Sequence, residues 1–144
     1  MPSDLKSANG NKKIEVKADT IGLDAGRDFV VDALTGLRAG SEVTFALTTS
    51  YLEMFENIMR HGYEGTDGYI TVEVFGTEKS VGVAISDSAK PYKILDYKDV
   101  GQSDMIKNGI SGKMGIKTII ALCDKVEYSR EGEYNKHVLL KNRG

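Results

Sequence analysis

The sequence predicts an α+β fold, a two-layer sandwich with helices on one face of a mainly antiparallel mixed sheet. Apolar residues recur at helical spacing in three segments and alternate in five others. The strand-like segments fall mostly in neighbouring pairs, Tyr69 to Phe75 with Val81 to Ser86 and Lys125 to Arg130 with Tyr134 to Lys141, as hairpins do. Strands and helices are clustered rather than strictly alternating, which argues against a doubly wound parallel sheet.

Each element has its own signal. Residues 1–12 are rich in Ser, Asn, Gly and Lys and read as a disordered tail, which leaves 13–144 as a single domain. Lys13 to Lys17 alternates, with Ile14 and Val16 on one face. Leu23 to Leu37 carries Phe29, Val30, Ala33, Leu34 and Leu37 at the 3.6-residue period of a first helix. Ser41 is the expected N-cap of a second helix, Glu42 to His61, which Gly62 is expected to close in a left-handed conformation. Gly76 to Lys79 supplies a hairpin turn between two strands rich in β-branched residues. Ser88 to Gly112 has no clean period and holds Pro91, Gly101, Gly109 and Gly112, a length that marks a functional loop. A third helix starts near Met114 and runs through Ile116, Ile119, Ile120 and Leu122, and Glu131-Gly132-Glu133 joins the last two strands.

Bulk properties exclude several classes. A chain of 144 residues with 40% hydrophobic and 28% charged content fits one globular domain with its own core. A net charge of -2 supplies no global attraction for nucleic acid. One cysteine rules out an internal disulfide, and Cys123 with only His61 and His137 makes a poor zinc set. Cys123 falls in an apolar helix pattern and reads as a buried, inert thiol. The polar start lacks a secretory signal, and no apolar run would span a bilayer. A cytoplasmic setting without membrane attachment is expected.

Three clusters could carry chemistry. Glu53, Asn57 and His61 stand four residues apart, so on a helix they share about a quarter of its surface. A plain solvated face explains that spacing as well. Asp87 follows the strand Val81 to Ser86 and could accept a hydrogen bond from an exocyclic amine, or simply form a turn. Gly109 to Gly115 leads into a helix whose free N–H groups suit phosphate oxygens, with Lys113 adding positive charge. It is not a Walker A loop, because Lys107 stands where that motif has glycine and Met114 replaces the Ser/Thr. Nor is it a dinucleotide fingerprint, since the glycine spacing differs and no parallel unit surrounds it.

In order and spacing, Glu53 to Tyr63, Ile85 to Tyr92 and Gly112 to Ile119 resemble the N, G1 and G2 boxes of the GHKL (histidine-kinase-like) ATPase superfamily, with its Bergerat ATP-binding fold. Glu53, Asn57, His61 and Tyr63 look most like the helix motif of the anti-sigma-factor serine/threonine kinase branch. The resemblance implies ATP and Mg²⁺ as cofactors. It makes Glu53 the general base, Asn57 the Mg²⁺ ligand and Asp87 the reader of the adenine amine. Gly112 and Gly115 would let the lid and helix start close on the phosphates. His61, Ala89, Lys113 and Met114 lie in the matched boxes and belong to the same nucleotide site, with the part of His61 left open. Ala89 stands where the family has glycine, so its methyl is expected to crowd the nucleotide unless the local φ is negative. Lys113 also replaces a glycine. The resemblance implies an ATP-dependent anti-sigma regulatory factor with serine kinase activity. Such a factor binds a sigma factor or similar target, phosphorylates an anti-anti-sigma (STAS-domain) partner and forms a homodimer. The alternative is a non-catalytic partner-switching module with weak or no ATP binding.

Overall fold

Alternation of Ile14 and Val16 with charged residues produces β1 (Lys12–Lys17). The computed structural model describes residues 11–64, 66–91 and 113–143, with side chains from 115 in the last segment. α1 (Thr20–Gly36) starts three residues before its apolar pattern, because Asp19 caps it by accepting from the Gly22 N–H at 2.7 Å. Arg38, at φ 61°, ends it, with the Ala39 N–H reaching back to Leu34 O.

α2 (Ser41–Asn57) has Gly40 as its N-cap and no side-chain capping bond, so Ser41 is the first helical residue and not the expected cap. Beyond Asn57 the helix widens into a π turn, Ile58–Gly62, closed by Tyr63 N–H to Ile58 O at 2.9 Å. The left-handed position falls on Glu64, at φ 54°, and Gly62 lacks a positive φ. Its glycine serves instead to let Ala89 approach: a Cβ built there would lie 3.0 Å from the Ala89 methyl.

β2 (Tyr69–Gly76) and β3 (Ser80–Asp87) form the first hairpin, with Thr77 and Ser80 bonded across its turn. α3 (Lys113–Leu122) precedes the second hairpin, β4 (Lys125–Glu131) and β5 (Tyr134–Asn142). The sheet runs β1-β2-β3-β5-β4, and all of its pairings are antiparallel. No parallel pair accompanies them among the described residues.

Register decides what faces the helices. One row across the sheet is Ile14, Val72, Ile85, His137 and Tyr128; the next is Val16, Ile70, Asp87, Asn135 and Arg130. These rows share a face with the fully buried Val74, Val83 and Leu139. α1 packs on β1 and β2, α2 on β3 and β5, and α3 against α2. Tyr51, Met54 and Phe55 from α2 and Ile58 from the π turn lie at the centre of the core, each at most 1% exposed. Burying such side chains contributes about 1.5–3 kcal/mol each. That burial holds the polar residues of the same helix and strands in fixed positions.

Gly26 lets α1 approach α2. A Cβ there would strike the Tyr51 hydroxyl, which donates to Leu23 O at 3.0 Å. Burial pushes the Tyr51 phenol well above its usual range, helped by nearby Asp24. The Cys123 thiol is buried, raised by that burial and bonded to Ser50 Oγ at 3.4 Å. It is the inert core thiol its setting in the sequence indicates.

Candidate functional site

Helical spacing puts Glu53 and Asn57 one turn apart on α2, and the structure adds two constraints. Asn57 is 3% exposed, and its Nδ2 donates to the Glu53 carbonyl oxygen at 3.0 Å. With the nitrogen committed to a carbonyl, Oδ1 is the atom left to meet a cation or a donor. Glu53 is half-buried, and its carboxylate lies against Gly115 in the first turn of α3, where a methyl would run into it. Glycine at 115 therefore brings the free N–H groups of the α3 start close to the Glu53–Asn57 face. His61 is outside the α-helix, half-buried on the π turn, so regular four-residue stacking stops at Asn57.

Asp87 is 3% exposed at the end of β3. Its Oδ1 accepts from Ala89 N–H at 2.9 Å and from Asn135 Nδ2 at 2.9 Å. Burial raises its pKa above the ordinary 3.8, while the two hydrogen bonds and Arg130 pull the other way. The carboxylate is thus desolvated but partnered, as a site for a neutral donor requires.

Sequence reasoning missed two residues here. Tyr63, read only as part of a motif, donates to Tyr69 O at 2.7 Å and accepts from Ser88 N–H at 3.0 Å. It ties the end of the helix to the segment that follows Asp87. Asn135 was one polar residue in a strand, and its signal lay in the register with Leu139, four positions apart on β5 and so on the same inward face. Ala89 resolves one expectation. It is 6% exposed, belongs to the core cluster and has no positive φ. Its methyl packs toward Gly62. Gly112 and the side chains of Lys113 and Met114 lie outside the described residues.

A cavity of about 450 Å³, lined by Ala18, Glu56, Met59, Arg60 and Glu64, lies beside the end of α2 and includes none of Glu53, Asn57 or Asp87. Among the described residues no cluster of three or more His, Cys, Asp or Glu could hold a metal ion, and no helix is long and apolar enough to cross a membrane.

A helix with Glu and Asn one turn apart, a buried Asp closing the central strand and a glycine at the start of α3 stand together on one α+β scaffold. A family model described as a histidine kinase-like ATPase domain matches residues 16–141, and the chain belongs to that family. No curated protein matches it. Among the matching solved structures is that of the SiaB–SiaC complex from Pseudomonas aeruginosa. One of its chains is 13% identical with a TM-score of 0.69, over 96% of this chain and 94% of that one. At that identity the likeness is one of fold.

Proposed function

We propose that this chain is an ATP-dependent protein serine/threonine kinase of the anti-sigma type. It would bind a sigma factor or similar regulatory target and phosphorylate an anti-anti-sigma (STAS-domain) partner. The observation that carries the reading is the Glu53–Asn57 pair held against Gly115, within a domain whose family is that of histidine kinase-like ATPases. That the fold is shared with a chain of a two-protein complex supports a protein partner.

The residues fit Mg·ATP. Asn57 offers a single oxygen, and Mg²⁺ commonly takes few protein ligands beside substrate phosphates. Bound Mg·ATP supplies the phosphoryl group and neutralises its charge. Asn57 would hold the cation through Oδ1. Glu53 takes the proton from the partner's serine hydroxyl, for which it must come within hydrogen-bond reach of that oxygen. The α3 start offers N–H groups to the phosphates. Asp87 accepts from the adenine amine.

Incubation with Mg·ATP and a candidate STAS-domain protein, read by phosphoserine mass spectrometry, tests this. Phosphoserine that disappears in the Glu53→Gln variant supports the assignment. Undetectable binding at millimolar Mg·ATP would sink the kinase reading in favour of a non-catalytic binding module.

A further inference from the structure

Asn135 has no exposed surface and faces the helices in the same cross-strand row as Asp87 and Arg130. Its carboxamide is used at both ends. Oδ1 accepts from the Tyr128 hydroxyl at 2.6 Å and from the Arg130 guanidinium at 2.9 Å. Nδ2 donates to Asp87 Oδ1 at 2.9 Å and to the Ala89 and Lys90 carbonyls, each at 3.1 Å. Arginine has only donors, so it must face the oxygen of the carboxamide. That assigns the nitrogen to the Asp87 side and excludes the flipped orientation.

We propose that Asn135 is a positioning residue for base recognition, clamping one oxygen of Asp87 so that the other is presented to an amine on the nucleotide. The proposal rests on the reading of Asp87 given above. Among the described residues the bonds to the carboxylate fall on Oδ1, from Asn135 and from Ala89 N–H, and we assign Oδ2 as the ligand's acceptor. Fixed in that orientation, an ionised carboxylate rewards a donor and repels a carbonyl. The same Nδ2 holds the two carbonyls that follow β3, so carboxylate and adjoining backbone are set by one side chain. Arg130 also donates to Ala89 O at 3.2 Å, which braces the far side of the clamp. In this arrangement side chains of β4 and β5 determine how strictly the base is read.

The test is the ratio of affinities for ATP and for inosine triphosphate, which carries a carbonyl where ATP carries its amine. Titration calorimetry of the full chain with Mg²⁺ gives both constants, and a thermal melt is recorded for every variant. The wild type is expected to prefer ATP by about 10- to 100-fold, the worth of one hydrogen bond to a charged group. Asn135→Leu is expected to bring the ratio to within about threefold of parity. A residue that only stabilised the fold would lower the melting temperature and leave the ratio alone. Should Asn135→Leu fail to fold, Tyr128→Phe combined with Arg130→Met strips both donors from the Asn135 oxygen and is read in the same way. A wild type without preference overturns the base-reading role of Asp87 and this proposal with it. A wild type that prefers ATP, with variants that keep the full ratio, overturns this proposal alone.

Discussion

Replacing Gly115 by alanine separates stability, which should hardly change, from phosphotransfer, which should fall. A Cβ at that position would overlap the Glu53 carboxylate, the far end of a flexible and half-exposed side chain. Glu53 can swing aside at a cost of about 0.5–1.5 kcal/mol for leaving its rotamer. Alanine in a helix returns up to about 1 kcal/mol relative to glycine. The two nearly cancel, so unfolding by urea should shift by less than about 1 kcal/mol. Phosphotransfer should not tolerate the move. A positioned general base contributes about 10²- to 10⁴-fold, about 3–5 kcal/mol of barrier, and most of that is lost when the carboxylate is displaced. ATP affinity should stay within about threefold, because in the proposed roles the affected atom is the base and not the cation ligand. Adding Glu53→Ala to Gly115→Ala should cost nothing further, as expected for residues acting as one unit. The assay is single-turnover formation of phosphoserine on the partner, beside an ATP titration of the same preparations. A Gly115→Ala protein that transfers at the wild-type rate would show that the contact between Glu53 and Gly115 has no catalytic meaning.

Three other perturbations have defined outcomes. Asn57→Ala should weaken Mg·ATP binding by at least about tenfold in calorimetry, the loss of a bond to a charged partner, while Asn57→Asp should retain much of it. Burial raises the pKa of Asp87, so its ionisation opposes folding: the stability contribution is full below pH 3.8 and is lost as pH rises through the folded value. Without nucleotide, Asp87→Asn should therefore melt above the wild type at pH 7, by at least about 2 °C, with the gap closing toward pH 4. Its ATP binding should fall at every pH. Gly26→Ala should destabilise by about 1–2 kcal/mol, overpacking against Tyr51 less the helix gain. Tyr51→Phe loses the Leu23 bond but clears the space, so in urea unfolding the double variant should be no worse than Tyr51→Phe alone.

The element order was legible because each segment repeats its period several times. Leu23 to Leu37 and Tyr69 to Phe75 reach their observed faces by that alone. The face of Glu53 and Asn57 was equally legible, since helical spacing needs no tertiary information. The π turn at Ile58–Gly62 was not. A sequence of apolar and basic residues ending in glycine reads as the last turn and left-handed cap of an ordinary helix, and only the pull of Tyr63 toward Tyr69 and Ser88 shows otherwise. Asn135 was hidden for a similar reason. Its neighbours Tyr134 and Lys136 are polar too, so the alternation of β5 does not declare its inward face until the pairing with Asp87 is known. Where the Ala89 methyl goes was not legible, because it turns to a glycine 27 positions earlier, a long-range fit with no local mark.

The π turn also bears on how this chain can change length. Five residues per backbone ring in place of four means that the helix carries one residue more than a regular α-helix would need there. Deleting Met59 would give a tidier helix, with better geometry and normal hydrogen bonds. It would also rotate everything after it by about 100°, carrying the Tyr63 hydroxyl away from Tyr69 and Ser88. The irregular turn is therefore a length tolerance that cannot be trimmed: the surplus residue is what aims the phenol. Insertions and deletions in descendants of this sequence should avoid residues 58–62, even though their side chains are not alike in chemistry or burial.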